Sequence, residues 1–371
     1  MTKDKEFIID EKELEEMSQK SAKFWEVLKK CSFTTLDEKQ KAKKELNIEP
    51  TPKSVIYREG SMTLSVCHNV SGSKQMKTPL IIIPSLINKN FILDLIPGFS
   101  LIEFLTKAGV KVYVMDWGVA GEEHSDQTLD ELIDGYIKRA VIRVKRHAKS
   151  KSIHVMGQCI GGILSTIFAA KYQKELNIKS HISLTTPIDF ENGGKLKEWT
   201  NPATFNLDKI TNSFKENGAI PPEILHAGFS FLDLNLTFTK YRNLFNFADN
   251  DAFVGLYRAL DFWGNDNIPF PCEVFRRFIR DFYQENKLIK GELLIGDEYI
   301  DLDKLTMPLF NIIASNDHVF PAEAAQTWRE EGKNKKDVQK VYQGGHVSII
   351  AALPVRMEVY GDILEFLISV K

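Results

Sequence analysis

"HVMGQCIGGILS" occupies His154–Ser165. An apolar run, "SIHVM" (152–156), leads into it, and a helical pattern follows from about Gly161. Cys159 sits between Gly157 and Gly161, with Gly162 as a third glycine. Glycines on either side let a strand and a helix approach without Cβ clashes. A cysteine in that frame is either a nucleophile on a tight strand-to-helix turn or a small apolar residue where the two elements pack. Residues far along the chain separate the two readings.

Outward from this turn the chain alternates between strand and helix patterns. "SVIYREG" and "MTLSVCH" form a hairpin pattern turning near Gly60. Short, β-branched apolar runs follow at 79–83, 110–116, 152–156, 181–187, 308–315 and 340–345, as suits strands buried on both faces. Helical patterns lie at 99–108, 128–149, 161–175, 322–332 and 355–370. This alternation predicts an α/β protein with a mostly parallel central sheet flanked by helices. An antiparallel hairpin ahead of parallel strands is the layout of the α/β-hydrolase fold. Residues 190–295 break the rhythm: they hold no buried-strand pattern and are rich in Phe, Leu and Tyr. We read them as a helical cap inserted over the carboxyl ends of the strands. The expected division is a helical segment over 1–45, a core over 46–189 and 296–371, and the cap over 190–295.

A hydrolase-type triad runs nucleophile, acid, histidine along the chain. "PLFNIIASNDH" places Asp317 just after a late strand, and "KVYQGGH" places His346 just after the last one. With Cys159, all three fall at carboxyl ends of strands, where open α/β sheets bind ligands. His346 would take the thiol proton of Cys159. Two jobs are open to Asp317: orienting the imidazole, or activating a hydroxyl of the bound acyl group. The second is favoured, since a thiol needs less help to ionise than a serine hydroxyl. The backbone N–H of Ile160 and one from the loop "PSLINKN" (84–90), Ile87 or Asn88, would receive an oxyanion. A thiolate in place of the usual serine suits acyl transfer from a thioester.

Other polar residues compete for these roles. His318 adjoins Asp317 and points away from it, so it is read as supporting the loop or lining the cleft. His154 lies within a strand and is read as a core histidine, and Asp116 as structural. Asp189 is the runner-up acid. Cys31, Cys67 and Cys272 have no glycine frame and are read as packing residues.

The 371 residues are 43% hydrophobic and carry a net charge of −2, which is ample for a core and implies no general polyanion-binding surface, so no nucleic acid. The first residues lack an apolar signal region and no run is long enough for a membrane span. The scattered cysteines form no CxxC pair, so a reduced, cytoplasmic protein without a metal site is expected. Residues 11–30 form an amphipathic pattern in which Met17, Phe24, Trp25 and Leu28 recur at helical spacing. Such a helix either packs on the main domain or docks a partner.

Over roughly residues 50–370 the chain resembles polyhydroxyalkanoate synthase catalytic subunits. The resemblance lies in "PSLINKNFILDL", "VYVMDWG", "GQCIGG", "TTPIDF", "FRRFIRDFYQENKLIKGELLIGD" with "DLDKLTMPLFNIIASNDH", and "GGH", in that order. It implies polymerisation of (R)-3-hydroxyacyl-CoA into polyester with release of CoA, through an acyl-cysteine. The family's cysteine, aspartate and histidine fall on Cys159, Asp317 and His346. The chain's length resembles the two-subunit classes, which implies a helical second subunit, a homodimer or hetero-oligomer, action at the polyester granule surface, and no cofactor beyond the CoA substrate. "WGNDNIP" (263–269) instead resembles the single-subunit classes. Ser348 stands where the family usually has glycine. A thioesterase or polyester depolymerase on the same fold, and a non-catalytic granule protein, are the competing readings.

Overall fold

The computed structural model describes residues 11–31, 33, 35–326, 334–352 and 355–370. These form an eight-stranded sheet. Its strands are β1 (Lys53–Glu59), β2 (Met62–Cys67), β3 (Leu80–Ile83), β4 (Val112–Asp116), β5 (Ile153–Gln158), β6 (Ile178–Leu184), β7 (Leu309–Ala314) and β8 (Val338–Tyr342). They lie in the order β1-β2-β4-β3-β5-β6-β7-β8. The hairpin β1–β2 and the β2–β4 pair are antiparallel, and every pair from β4 to β8 is parallel. The hairpin turns at Gly60, whose φ of 54° lies in the left-handed region that glycine adopts without strain.

The strands present alternate side chains to two apolar layers. Ile81 and Ile83 of β3, with Tyr113 and Met115 of β4, enter one. Leu80, Ile82, Val112 and Val114 enter the other. That double burial is why the strand sequences read as continuous apolar runs.

The helices used below are α1 (Glu11–Lys30), α2 (Leu36–Glu45), α3 (Leu101–Lys107), α4 (Lys138–Ala148), α5 (Ile160–Leu176), α6 (Pro222–Leu232), α7 (Leu234–Phe247), α8 (Asp251–Gly264), α9 (Cys272–Phe278) and α10 (Val355–Ser369). The pattern read as one helix over 128–149 begins as a π-helical stretch, Glu131–Ile137, before α4. Of the helix expected over 322–332, Ala322–Ala325 is helical; residues 327–332 lie outside the described residues. Between β6 and β7 the chain is mostly helical, with two short antiparallel pairs, Ala219–Ile220 with Phe270–Pro271 and Leu294–Ile295 with Glu298–Tyr299.

Helix α1 packs on this inserted segment, with Phe24 6.0 Å from Phe245 of α7. Its inner face differs from the one expected. Val27 is buried against Leu244 and Tyr257, with Phe24 and Leu28 beside it, whereas Met17 and Trp25 face outward, Trp25 being 58% exposed. Helical spacing alone allowed either stripe; the shape of the α7–α8 surface selects one.

Two core histidines make the fold acid-sensitive. His154 on β5 meets the Ser180 hydroxyl at 2.8 Å through Nδ1, and His181 on β6 meets the Ser165 hydroxyl of α5 at 2.9 Å through Nε2. Burial pushes the first down to about 4, with Lys179 adding to the effect, and the second down to about 3. An unfolded chain protonates both near pH ~6.5. Below that pH the unfolded chain therefore binds more protons than the fold. Their stabilising effect is complete above pH ~6.5 and is lost towards pH 4 and 3, at ~1.4 kcal/mol per pH unit for each histidine. Denaturant unfolding at pH 6.5 and pH 5 should differ by about 3 kcal/mol from this source. His154→Gln should remove about half of that slope; a slope unchanged by the substitution would show that His154 is not the titrating group.

Candidate active site

Strand β5 ends at Gln158 and α5 starts at Ile160, so Cys159 occupies the turn between them. Its φ of 55° and ψ of −124° are a conformation that a residue with a Cβ adopts only under strain of ~1–3 kcal/mol. Packing enforces it. A Cβ on Gly157 would meet the Ser165 hydroxyl at 2.1 Å, and one on Gly161 would meet the carbonyl oxygen of Pro84 at 2.2 Å. Both glycines are thus required for close approach between turn, helix and the loop after β3. The turn aims Cys159 over the carboxyl edge of the sheet, at the N-terminal end of α5, whose first N–H groups have no partner within the helix.

The loops after β7 and β8 bring the other two residues there. His346 Nδ1 lies 2.6 Å from Asp317 Oδ2. The other oxygen, Oδ1, accepts the backbone N–H groups of Val319 at 2.9 Å and Phe320 at 3.0 Å. The Cys159 side chain lies close enough to the same imidazole for its charge to act on it. Cys159 and His346 are each only 6% exposed. Burial alone would lower the His346 pKa, but the charges of Asp317 and Cys159 outweigh it and hold the imidazole well above its ordinary value. Burial would likewise raise Asp317; His346 and the two backbone donors outweigh it and hold the carboxyl below its usual range. The Phe320 ring packs 5.9 Å from the imidazole. Ser348, the departure noted in the sequence, accepts from the Gly345 N–H at 2.6 Å and donates to the Gly345 carbonyl at 3.1 Å, bracing the residue before His346.

The competing residues are occupied elsewhere. Asp189 Oδ1 accepts from the Glu191 N–H at 3.1 Å and the Asn286 amide at 2.8 Å, and its Oδ2 accepts from the Asn192 amide at 3.0 Å. Asp116 accepts from the Gly118 N–H at 2.9 Å. His318 is half-buried; burial and the neighbouring His346 lower its pKa, opposed by Asp317 and by Asp233 from the inserted segment. It is thus within electrostatic reach of the Asp317 loop and of Asp233. Burial pushes the Cys31 thiol up to about 11 and Cys67 up to about 12, and all four cysteines are free.

One neighbour went unread in the sequence. Tyr283 lies in a π-helical stretch, Ile279–Gln284, with its ring 5.0 Å from Phe190. Burial, then the charges of Cys159 and Asp317, raise its hydroxyl well above the ordinary value. It is a buried, neutral hydroxyl beside the site. Nothing in "FRRFIRDFYQE" separates it from the surrounding apolar aromatics, and the π-turn that aims it has no local signature.

Strand order, turn and residue order together define an α/β-hydrolase-fold protein. A family model described as alpha/beta hydrolase fold matches residues 78–352. Among solved structures, the Paleococcus ferrophilus monoacylglycerol lipase is similar in fold, with a TM-score of 0.51 and 14% identity over 84% of this chain and 100% of that one. A second family model, Poly-beta-hydroxybutyrate polymerase (PhaC) N-terminus, matches residues 22–105. The poly(3-hydroxyalkanoate) polymerase subunit PhaC of Thiocystis violacea is 30% identical over 83% of this chain and 86% of its own length. That of Haloferax mediterranei is 31% identical over 77% of this chain, but the match spans 57% of that relative's length. The chain belongs to the poly(3-hydroxyalkanoate) polymerase family, a family of acyltransferases. Among the described residues no helix is long and apolar enough to cross a membrane.

Proposed function

We propose that this chain polymerises (R)-3-hydroxyacyl-CoA thioesters into polyester and releases CoA, with Cys159 as the acylated nucleophile, His346 as the base and Asp317 as its partner. The observation that carries this reading is the buried imidazole joined to the Asp317 carboxylate at 2.6 Å, with Cys159 close enough for its charge to act on the same ring, in a chain of this family. His346 takes the thiol proton as the sulfur attacks the thioester carbonyl. The carbonyl electron pair moves to oxygen, where the N–H groups of Ile160 and Ile87 receive it. Collapse expels CoA thiolate, which takes the proton from the imidazolium, leaving acyl-Cys159 and free CoA. The hydroxyl of a second hydroxyacyl unit then attacks that acyl group: the ester C–O bond forms, the C–S bond to Cys159 breaks, and the hydroxyl proton passes by way of His346 to the departing sulfur. The transfer is redox-neutral and the CoA thioester brings its own leaving group, so it calls for no separate cofactor.

Asp317 spends one oxygen on His346 and the other on its own loop. This supports the orienting job over activation of the hydroxyl. Asp317→Asn should therefore slow acylation and elongation together, on the order of 10²-fold. Mass spectrometry after a brief substrate pulse checks it: accumulated short acyl-enzyme would assign Asp317 to hydroxyl activation instead.

The inserted segment, read as the cap, leaves Phe231 62% and Phe238 72% exposed on α6 and α7. Exposed aromatics there support contact with a second synthase subunit, a second copy or the granule surface. The relatives are themselves named as subunits. The overall test incubates the chain, alone and with the helical subunit, with 3-hydroxybutyryl-CoA and follows CoA and turbidity together. Released CoA with insoluble polymer is expected. CoA with free acid would make the chain a thioesterase, and no CoA in either case would make it non-catalytic.

A further inference from the structure

The loop from Pro84 to Lys89 carries one of the two backbone donors proposed above. It has no helix or ladder of its own, and groups from elsewhere hold its carbonyls. On the core side the Trp117 indole N–H donates to the Pro84 carbonyl at 3.0 Å. Just beyond the loop, the Asn90 amide donates to the Met115 carbonyl at 3.0 Å. The remaining anchors come from the inserted segment. The Ile268 N–H donates to the Ile87 carbonyl at 3.0 Å, and the Trp263 indole N–H donates to the Lys89 carbonyl at 2.8 Å. The Asn88 amide donates to the side-chain carbonyl of Asn267, and these two residues form an isolated antiparallel bridge. Asn267 is itself held: its amide donates to the Gly264 carbonyl at 2.9 Å and lies 3.3 Å from His226 Nδ1 of α6.

A trans peptide is planar, so a held carbonyl also aims the N–H of the next residue. Ile268 on the Ile87 carbonyl aims the Asn88 N–H. Trp117 and Ile268, holding the carbonyls of Pro84 and Ile87, bracket the peptide that presents the Ile87 N–H. Donor direction at the oxyanion loop therefore depends on one short piece of the insertion, Trp263–Ile268.

We infer that Trp263 and Asn267 are positioning residues for acyl transfer, which clasp the oxyanion loop in its donating geometry and so couple the seating of the cap to the competence of the oxyanion hole. This rests on the reading of Cys159 as the acylated nucleophile. A cap displaced to admit substrate gives up these three anchors, and re-seating restores them before the chemical step. Water is thereby kept from an acyl-enzyme whose donors are aligned.

The test compares two reactions of the same sulfur, with the helical subunit present throughout. Iodoacetamide alkylates Cys159 by displacement of iodide at a saturated carbon, which forms a C–S bond and develops no oxyanion. 3-Hydroxybutyryl-CoA acylates it through one, read as the first turnover of released CoA. Removing an oxyanion donor outright costs about 10²–10³-fold. Loosening one through Trp263→Phe or Asn267→Ala should slow acylation on the order of 10-fold. Alkylation should stay as fast as in the parent chain, or faster if the cap opens more readily. A parallel fall in both rates would mean general damage to the site and overturn the inference, as would acylation unchanged in both variants. A parent chain that is alkylated but never acylated would overturn the acyl-transfer reading, and this inference with it.

Discussion

Cys159→Ala is expected to abolish acyl-enzyme formation and CoA release, a loss on the order of 10⁴-fold or more. On the proposed reading the sulfur is the group that forms the thioester bond, and alanine carries no atom that could replace it. The fold should survive. The substitution keeps a Cβ, so the turn remains at its positive φ and the strain is the same in both proteins. What is lost is one buried sulfur, and the melting temperature should fall by no more than a few degrees. Cys159→Ser should also be severely impaired, because a hydroxyl is a far weaker acid than a thiol and His346 must then remove a proton that is much harder to take. Intact-protein mass spectrometry after a pulse of 3-hydroxybutyryl-CoA reads the adduct directly. An acyl adduct on the alanine variant would move the nucleophile elsewhere.

The second large effect is at the base. His346→Gln should cost on the order of 10²-fold or more in acylation. Glutamine still reaches the Asp317 oxygen but does not accept and return the thiol proton. Burial works against a charged imidazole here, and the charges of Asp317 and Cys159 reverse that balance. The site is therefore built to hold a proton on His346. His318→Gln should cost much less, because burial and the neighbouring His346 both oppose a charge on His318. First-turnover CoA release from the two variants, both verified as folded, ranks them. A larger loss at His318 would exchange their roles.

A third element of the site lies between the sequence and the fold. Ser348 departs from the glycine that the family usually carries after its histidine, which raised the question of how the following turn packs. The hydroxyl bonds both the N–H and the carbonyl of Gly345. The turn that presents His346 is thus held from within its own loop, and the departure leaves the Asp317 pairing intact.

The positions of Cys159, Asp317 and His346 at strand ends were legible because their signals are local. Glycine spacing reports where backbones must touch, β-branched runs report double burial, and a polar residue just after such a run falls on the carboxyl edge of a parallel sheet. The alternation of strand and helix carries the α/β-hydrolase fold by the same local physics. Other features rest on distances between residues remote in the chain. Asp189 follows a strand as Asp317 does, and what separates them is that Asn286 reaches the first and His346 the second. Val27 rather than Trp25 is buried on α1 because of the surface that α7 and α8 offer it. Tyr283 meets the site through a π-turn, and "WGNDNIP" meets the loop after β3 through Trp263, Asn267 and Ile268. Side-chain period fixes which face of an element is apolar. It carries no record of which neighbour fills the space opposite, and in this protein those neighbours set the geometry around the sulfur.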